Sequence, residues 1–137
     1  MIPKFFDVHT HVNDKQYDDD RDEVIKRALD AGVAMIQVGT DFLMSKKAIE
    51  IAEKYENVYA TVGLHPTDNT KEIFNHDAYK KLAEHPKVVA IGECGLDYFR
   101  GANEEEKKKQ KDVFIKQIEL AKNTGKPLMI HCREAFP

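Results

Sequence analysis

Cysteine is scarce in this chain, which has only Cys94 and Cys132 among its 137 residues. The two are distant in sequence and form no Cys-x-x-Cys pair, so they do not indicate a disulfide framework. Each directly follows a residue that is considered below as a metal ligand. Because side chains alternate along a strand, both thiols should turn away from that site. We therefore expect both cysteines to be reduced and packed.

An excess of positive charge is also missing. The chain carries 21 Lys and Arg residues against 24 Asp and Glu residues, a formal net charge of -3. Modules that bind duplex nucleic acid by neutralising phosphates are normally basic. If the substrate is a nucleic acid, bound cations or a local patch must therefore supply the attraction.

Long apolar runs are absent as well, and none approaches the length of a membrane span. No signal peptide precedes the first apolar segment, because Met1–Lys4 run directly into Phe5. We therefore expect no membrane association and a cytoplasmic location. Apolar residues make up 42% of the chain and charged residues 33%, as is typical of a folded globular protein. No linker or repeat divides it, so we expect one domain over residues 1–137.

Short apolar runs instead alternate with segments of helical periodicity. Five runs are predicted to be strands: Lys4–His9, Val33–Val38, Asn57–Gly63, Lys87–Glu93 and Pro127–His131. Four helices lie between them, and the clearest is Asn103–Asn123. Asn103 is predicted to cap this helix with Glu106 in the capping-box position. Its predicted buried stripe is Phe114, Ile118 and Ala121.

Strands that are joined by helical crossovers must be parallel, so the pattern predicts an α/β fold. A closed (β/α)8 barrel needs eight such units and about 250 residues. The chain has roughly half of that, which leaves two alternatives, an open α/β sheet or a truncated barrel. The motifs below favour a TIM-barrel type, truncated to about the first five strands and four helices.

Two histidines, His9 and His11, stand where the first strand runs out. Side chains two residues apart on a strand face the same side, and imidazole is an ordinary ligand for divalent metals. A lone histidine on an apolar strand is usually a satisfied core residue. Two adjacent imidazoles would repel each other if protonated and lose hydration if buried, and metal ligation removes both penalties. We therefore predict that both bind a metal ion.

Glu93 and His131 end two later strands in the same way. A carboxylate at the end of an apolar strand needs a cation or hydrogen bonds, and the competing interpretation is a buried ion pair with Lys or Arg. A carboxylate can bridge two cations and an imidazole cannot. Glu93 is therefore the candidate for a shared, catalytic ligand, and His131 would face the same point from the next strand.

Three further residues are predicted to bind substrate. His65 follows the third strand, where a hydrogen bond to a substrate phosphate or a metal-bound water is favoured over ligation. Asp97 follows Glu93 closely. Arg133 lies two residues beyond His131 and could clamp an anionic group in a bidentate fork, although a surface ion pair fits its position equally well.

Four segments together resemble the TatD family of metal-dependent deoxyribonucleases. Their order and intervals match over the whole chain, and the last two segments are more specific than the His-x-His pair alone. The segments are Asp7-Val8-His9-Thr10-His11, Gly63-Leu64-His65-Pro66, Ile91-Gly92-Glu93-Cys94-Gly95-Leu96-Asp97-Tyr98 and Ile130-His131-Cys132-Arg133-Glu134-Ala135.

The resemblance implies an amidohydrolase-type TIM barrel with two divalent ions. Carried over by position, His9 and His11 bind the first ion, Glu93 bridges, and His131 binds the second. The family pattern also has a histidine and an aspartate beyond residue 137, so we expect this chain alone to be weak or inactive. Imidazole with carboxylate suits Zn²⁺ or Mn²⁺, and Mg²⁺ less readily.

The activity that the resemblance implies is hydrolysis of DNA phosphodiester bonds by a water that two metal ions activate. One alternative keeps the hydrolase and changes the substrate to a small ester, amide or phosphoester, because fold does not settle function. Another is a non-catalytic half-barrel that needs a complementary chain, or that associates with itself through its open sheet edge.

Overall fold

A computed structural model describes residues 2–69 and 71–137 of the chain, so Met1 and Thr70 of the predicted domain lie outside the described residues. Within the described ranges, five strands alternate with four α-helices. The strands are β1 (Phe5–Thr10), β2 (Val33–Gln37), β3 (Val58–Val62), β4 (Val88–Asp97) and β5 (Leu128–Arg133). The helices are α1 (Arg21–Asp30), α2 (Phe42–Glu53), α3 (His76–Ala83) and α4 (Glu104–Thr124).

The strands form one sheet in the order β1-β2-β3-β4-β5, and every neighbouring pair is parallel. One helix connects each strand to the next. Parallel strands that are joined in this way bring their carboxyl ends to the same edge of the sheet. The prediction of an α/β fold with five strands and four helices is confirmed, and residues that follow different strands meet at that edge.

The hydrophobic core lies between one face of the sheet and the helices. Val58, Ala60 and Val62 alternate along β3 into this core and are fully buried. Tyr59 lies between them in sequence and therefore points to the other face. That other face is apolar too, because Phe6, Val8, Ile36, Tyr59 and Val89 line a shallow hollow on it. Phe6 is 48% exposed and Val8 58% exposed, so this face is uncovered in the described chain.

Helix α4 begins at the cap that its sequence predicts. The Asn103 side chain accepts from the Glu106 N–H, and the Glu106 side chain accepts from the Asn103 N–H, each at 2.9 Å. This capping box satisfies two amide groups that the first helical turn leaves free. Gly125 ends the helix in the left-handed conformation, with φ of 65°, which glycine adopts at little cost.

Strand β4 is longer than predicted. It continues past Glu93 to Asp97, because its second half pairs with β5 after a register shift between Ile91 and Cys94. Gly95 permits this pairing, since a Cβ atom there would lie 2.0 Å from the carbonyl oxygen of His131. Glu93 therefore lies within a strand and not at its end.

The predicted buried stripe of α4 is partly wrong. Ile118 is 41% exposed, whereas the residues that α4 buries are Gln110, Val113, Gln117, Leu120 and Ala121. Two of the five are glutamines, whose burial a search for apolar periodicity does not predict.

The two cysteines are both free, and they differ in burial. Cys94 is packed in the core as predicted, and burial raises the pKa of its thiol to about 12. The prediction of a packed thiol is wrong for Cys132, which is exposed. It lies on β5, which is an edge strand of the described sheet.

No α-helix in residues 2–69 and 71–137 combines the length and the apolar character that crossing a lipid bilayer requires.

Candidate metal centre

Two imidazoles meet at the carboxyl end of β1. His9 is near the end of that strand and His11 is just past it. Their Nε2 atoms lie 3.1 Å apart, and the ring planes meet at 62°. Both side chains are 42% exposed. We call His9 and His11 the outer pair.

A second pair of imidazoles comes from β3 and β5. His65 follows β3, and His131 lies on β5, where it pairs with Gly95 of β4. The two rings are 4.3 Å apart between centroids, at 61°. Their side chains are 14% and 20% exposed. We call His65 and His131 the inner pair.

Glu93 lies between the two pairs and is 6% exposed. Its Oε2 atom is 3.1 Å from Nε2 of His9 and 3.7 Å from Nε2 of His11. Its Oε1 atom is 2.9 Å from Nδ1 of His131 and 3.8 Å from Nε2 of His65. Each carboxylate oxygen thus faces one pair of histidines. The structure brings together the four residues that the sequence assigned to metal, and His65 joins them.

Both rings of the inner pair have a further partner. Nδ1 of His65 accepts from the Thr67 backbone N–H at 3.2 Å and lies 2.7 Å from the Thr67 hydroxyl. Nε2 of His131 lies 2.8 Å from Oδ2 of Asp97. The second Asp97 oxygen accepts from the Phe99 N–H at 3.1 Å. Partners of this kind fix the tautomer and orientation of a histidine that binds metal.

The charge states of these groups suit a divalent cation. Burial lowers the pKa of His11 and that of His65 below the ordinary histidine value, which favours neutral rings. Burial alone would raise the pKa of Glu93, but the hydrogen bond with His131 and the nearby imidazoles outweigh it and lower that pKa overall. The pKa of Asp97 is lowered against its burial in the same way, chiefly by His131. Neutral imidazoles and charged carboxylates are the forms that bind metals.

Two groups of potential ligand atoms stand out among the described residues. One comprises His9, His11 and Glu93, and the other His65, Glu93 and His131, with the ligand atoms of each group within 4.8 Å of one another. They share Glu93. Imidazole nitrogens and carboxylate oxygens are ordinary ligands of divalent metals, so these two groups support the use of a divalent metal.

Arg133 lies at the rim of this centre. It is exposed, and its guanidinium carbon is 3.5 Å from the centroid of the Phe99 ring. Its charge also contributes to lowering the pKa of Asp97.

The sequence interpretation missed two glutamines of α4. Gln110 accepts from the Asp97 N–H at 2.8 Å and donates to the Asp97 carbonyl at 2.9 Å. Gln117 makes the same two bonds, at 2.8 and 2.9 Å, to Leu64, directly before His65. Their spacing of seven residues, in register with buried Val113, was the available signal.

A protein-family model described as TatD related DNase matches residues 6–137. The metal-dependent hydrolase YabD of Bacillus subtilis (strain 168), which is named as uncharacterized, is 44% identical over 132 residues, covering 95% of this chain and 51% of that protein. The 3'-5' ssDNA/RNA exonuclease TatD of Escherichia coli (strain K12) is 36% identical over 132 residues, covering 95% of this chain and 50% of that protein. The chain thus spans about half the length of these curated relatives.

Two crystal structures share the fold. The TatD homologue YJJV from Escherichia coli K12 superposes with a TM-score of 0.82 at 30% identity, covering 98% of this chain and 52% of that one. A TatD family hydrolase from Entamoeba histolytica also gives 0.82, at 31% identity and the same coverage. These neighbours are TIM barrels, so the five strands correspond to half of a barrel. The truncated-barrel prediction is confirmed over the open sheet.

Proposed function

Because the chain belongs to the family of TatD-related DNases, we propose that its histidine–carboxylate centre serves a metal-dependent hydrolase that cleaves the phosphodiester bonds of DNA. The observation that carries the proposal is Glu93, whose two oxygens face separate histidine pairs. Several relatives that are named 3'-5' ssDNA/RNA exonucleases support nucleic acid as the substrate class.

The residues present fit two divalent ions. His9 and His11 with one oxygen of Glu93 would hold the first, and His131 with the other oxygen would hold the second. The ions would supply Lewis acidity, lowering the pKa of water and stabilising negative charge that develops on phosphorus. The imidazoles favour Zn²⁺ or Mn²⁺ over Mg²⁺.

Glu93 would be the catalytic carboxylate that keeps the two positive charges close together. His65 is placed to contact a substrate phosphate, because Thr67 occupies its Nδ1 and leaves Nε2 directed at the centre. Arg133 would attract the anionic backbone of the substrate from the rim. Asp97, predicted to bind substrate, would act at the same place through His131, which it contacts.

A small ester, amide or phosphoester is the second candidate substrate. The net charge of -3 favours it, because a chain with this charge has no general attraction for DNA. The relative from Bacillus subtilis is named only as a metal-dependent hydrolase.

We also propose that the chain associates through its open sheet. β1 and β5 are the edge strands of the described sheet, and exposed apolar side chains lie on both, including Phe6, Val8 and Ile130. Unpaired edges with apolar neighbours tend to pair with another chain. Such a half-barrel would be weak or inactive until a second chain covers it. A cytoplasmic location and a single domain over residues 1–137 remain predictions.

The test combines metal binding with a substrate panel. Equilibrium dialysis against Zn²⁺ or Mn²⁺ should give two ions per chain. Single-stranded DNA, duplex DNA and neutral esters are then offered with each of Mg²⁺, Mn²⁺ and Zn²⁺, and light scattering reports association. We expect weak cleavage of DNA that disappears in Glu93→Gln. A chain that binds no divalent ion would refute the proposal, and faster turnover of neutral esters would establish the second candidate.

A further inference from the structure

Helix α4 carries two buried glutamines whose side chains form hydrogen bonds with backbone groups beside the metal centre. Gln117 is fully buried and Gln110 is 7% exposed. A buried amide that lacks hydrogen-bond partners destabilises the fold, so each must find a donor and an acceptor nearby. Both find the two partners on a single backbone residue at a strand end.

Gln117 fixes the backbone where the chain leaves β3. Its Oε1 accepts from the Leu64 N–H, and its Nε2 donates to the Leu64 carbonyl. A pair of bonds to one residue restrains both the position and the rotation of that peptide segment. Because Leu64 directly precedes His65, this restraint fixes the backbone position from which the His65 side chain extends.

Gln110 does the same at the end of β4. Its amide bonds both backbone groups of Asp97, while the Asp97 carboxylate contacts His131 and accepts from the Phe99 N–H. The backbone of Asp97 and its side chain are therefore both held. The restraint reaches the His131 ring through a single carboxylate.

The spacing of the two glutamines lets α4 bind the backbone at Leu64 and at Asp97 at the same time. Seven residues are nearly two helical turns, so both side chains lie on the same face of the helix. We propose that α4 is a brace for the inner pair, in which Gln110 and Gln117 are positioning residues that set His65 and His131 around Glu93. This inference rests on the proposed metal centre for its functional meaning.

A purely structural role would give a different result from a positioning role. Satisfying buried backbone groups stabilises the fold wherever it occurs, and any core substitution in α4 would then have the same consequences. A brace predicts instead that the inner pair is disturbed selectively. The outer pair, at the end of β1, has no hydrogen bond with either glutamine among the described residues and should be unaffected.

The experiment compares Gln117→Met and Gln110→Met with Leu120→Ala. Methionine is similar in length to glutamine but makes neither strong hydrogen bond. Leu120 is fully buried on the same helix and belongs to the hydrophobic core, so its truncation lowers stability without removing a brace bond. The variants are compared at matched loss of thermal stability. Each of the two methionine variants tests its own end of the brace, so one that fails to fold leaves the other decisive.

Two readouts are used, and one needs no metal. Co²⁺ titration followed by visible absorption should show the inner site weakened by about tenfold to a hundredfold in Gln110→Met, because Asp97, which Gln110 holds, contacts the proposed ligand His131. The outer site should be unchanged, and Leu120→Ala should leave both sites unchanged. In the metal-free chain, NMR signals of the His65 ring should shift in Gln117→Met, and those of the His131 ring in Gln110→Met.

The two readouts separate the brace from the proposed function. If the unmodified chain binds no Co²⁺, the metal centre fails as a proposal, and the ring signals alone decide the brace. Ring signals that move equally in Leu120→Ala and in the methionine variants would overturn it. So would methionine variants that lose stability while the His65 and His131 signals and the inner-site affinity stay as in the unmodified chain.

Discussion

The outer and inner pairs of histidines face the same carboxylate but are held very differently. His9 lies on β1 and His11 just past it, and both side chains are 42% exposed. They contact each other and Glu93, and among the described residues only His11 has a further side-chain hydrogen bond, with the Val38 backbone. His65 and His131 are 14% and 20% exposed, and each has a partner on its remaining ring nitrogen. The inner pair is therefore oriented before any ion arrives, whereas the outer pair depends more on the ion itself.

This difference predicts an order of filling. Ligands that are already oriented lose less conformational freedom on binding, so the inner site should bind its ion more tightly. A chelator should accordingly remove the outer ion first. The four predictions below test whether the asymmetry between the two pairs is real.

The largest effect is expected from Glu93→Gln. The amide removes the charge that both sites share, so affinity at each should fall by about a hundredfold or more. Equilibrium dialysis with Zn²⁺ would measure this loss. Glu119→Gln, on an exposed position of α4, is the control. Normal binding of two ions by Glu93→Gln would mean that the carboxylate does not bridge the pairs.

Next come His9→Ala and His131→Ala, each of which should cost one ion. His9→Ala should retain the tighter ion of the inner site, and His131→Ala should retain only the weaker one. Calorimetric titration with Zn²⁺ separates the two outcomes. Equal affinities for the remaining ion in both variants would contradict the predicted difference between the inner and outer sites.

Gly95→Ala should disturb the inner pair, because it disrupts the pairing of β4 with β5 next to His131. Its Cβ would lie 2.0 Å from the His131 carbonyl oxygen, and its φ of +145° is unfavourable for alanine. We expect a loss of about 3 kcal/mol in the free energy of unfolding in urea. Gly101→Ala is the matched control, because its φ is +70° with no atom within 4 Å of the added carbon. It should lose only about 1 kcal/mol. Similar losses in both would contradict the close β4–β5 approach.

The smallest effect is expected from Asp97→Asn. Asparagine can still accept from the Phe99 N–H but no longer provides a negative charge beside His131, so the inner site should weaken by about tenfold. The outer site should not change. Asp112→Asn, at an exposed position of α4, controls for the loss of one negative charge. An equal loss at both sites, measured by Co²⁺ titration, would argue against a local role for Asp97.

The sequence predicts most of this fold because short apolar runs alternate with segments of helical periodicity, and because the capping box of α4 can be recognised in the sequence. It also predicts His9, His11 and His131, since residues near the ends of parallel strands share one edge of the sheet. The end of β4 was not predictable in this way. Gly92 and Gly95 interrupt the apolar run, and the pairing that extends the strand depends on β5, more than thirty residues later.

The two glutamines of α4 were missed for a different reason. A search for apolar periodicity does not detect buried polar side chains. It assigned Ile118 to the buried face of α4, although Ile118 is exposed and the two glutamines are buried. Their partners are backbone groups, which no residue pattern reveals. Helix spacing was the single clue, and it has meaning only once the strand ends are known.

The seven-residue interval in α4 also limits how the length of this chain can vary. Inserting or deleting a single residue between Gln110 and Gln117 would rotate one of them by about 100° around the helix axis, away from its strand end. The same change in the turn before Asn103 would leave the interval intact. Insertions and deletions, natural or engineered, should therefore be tolerated outside this part of α4 and not within it.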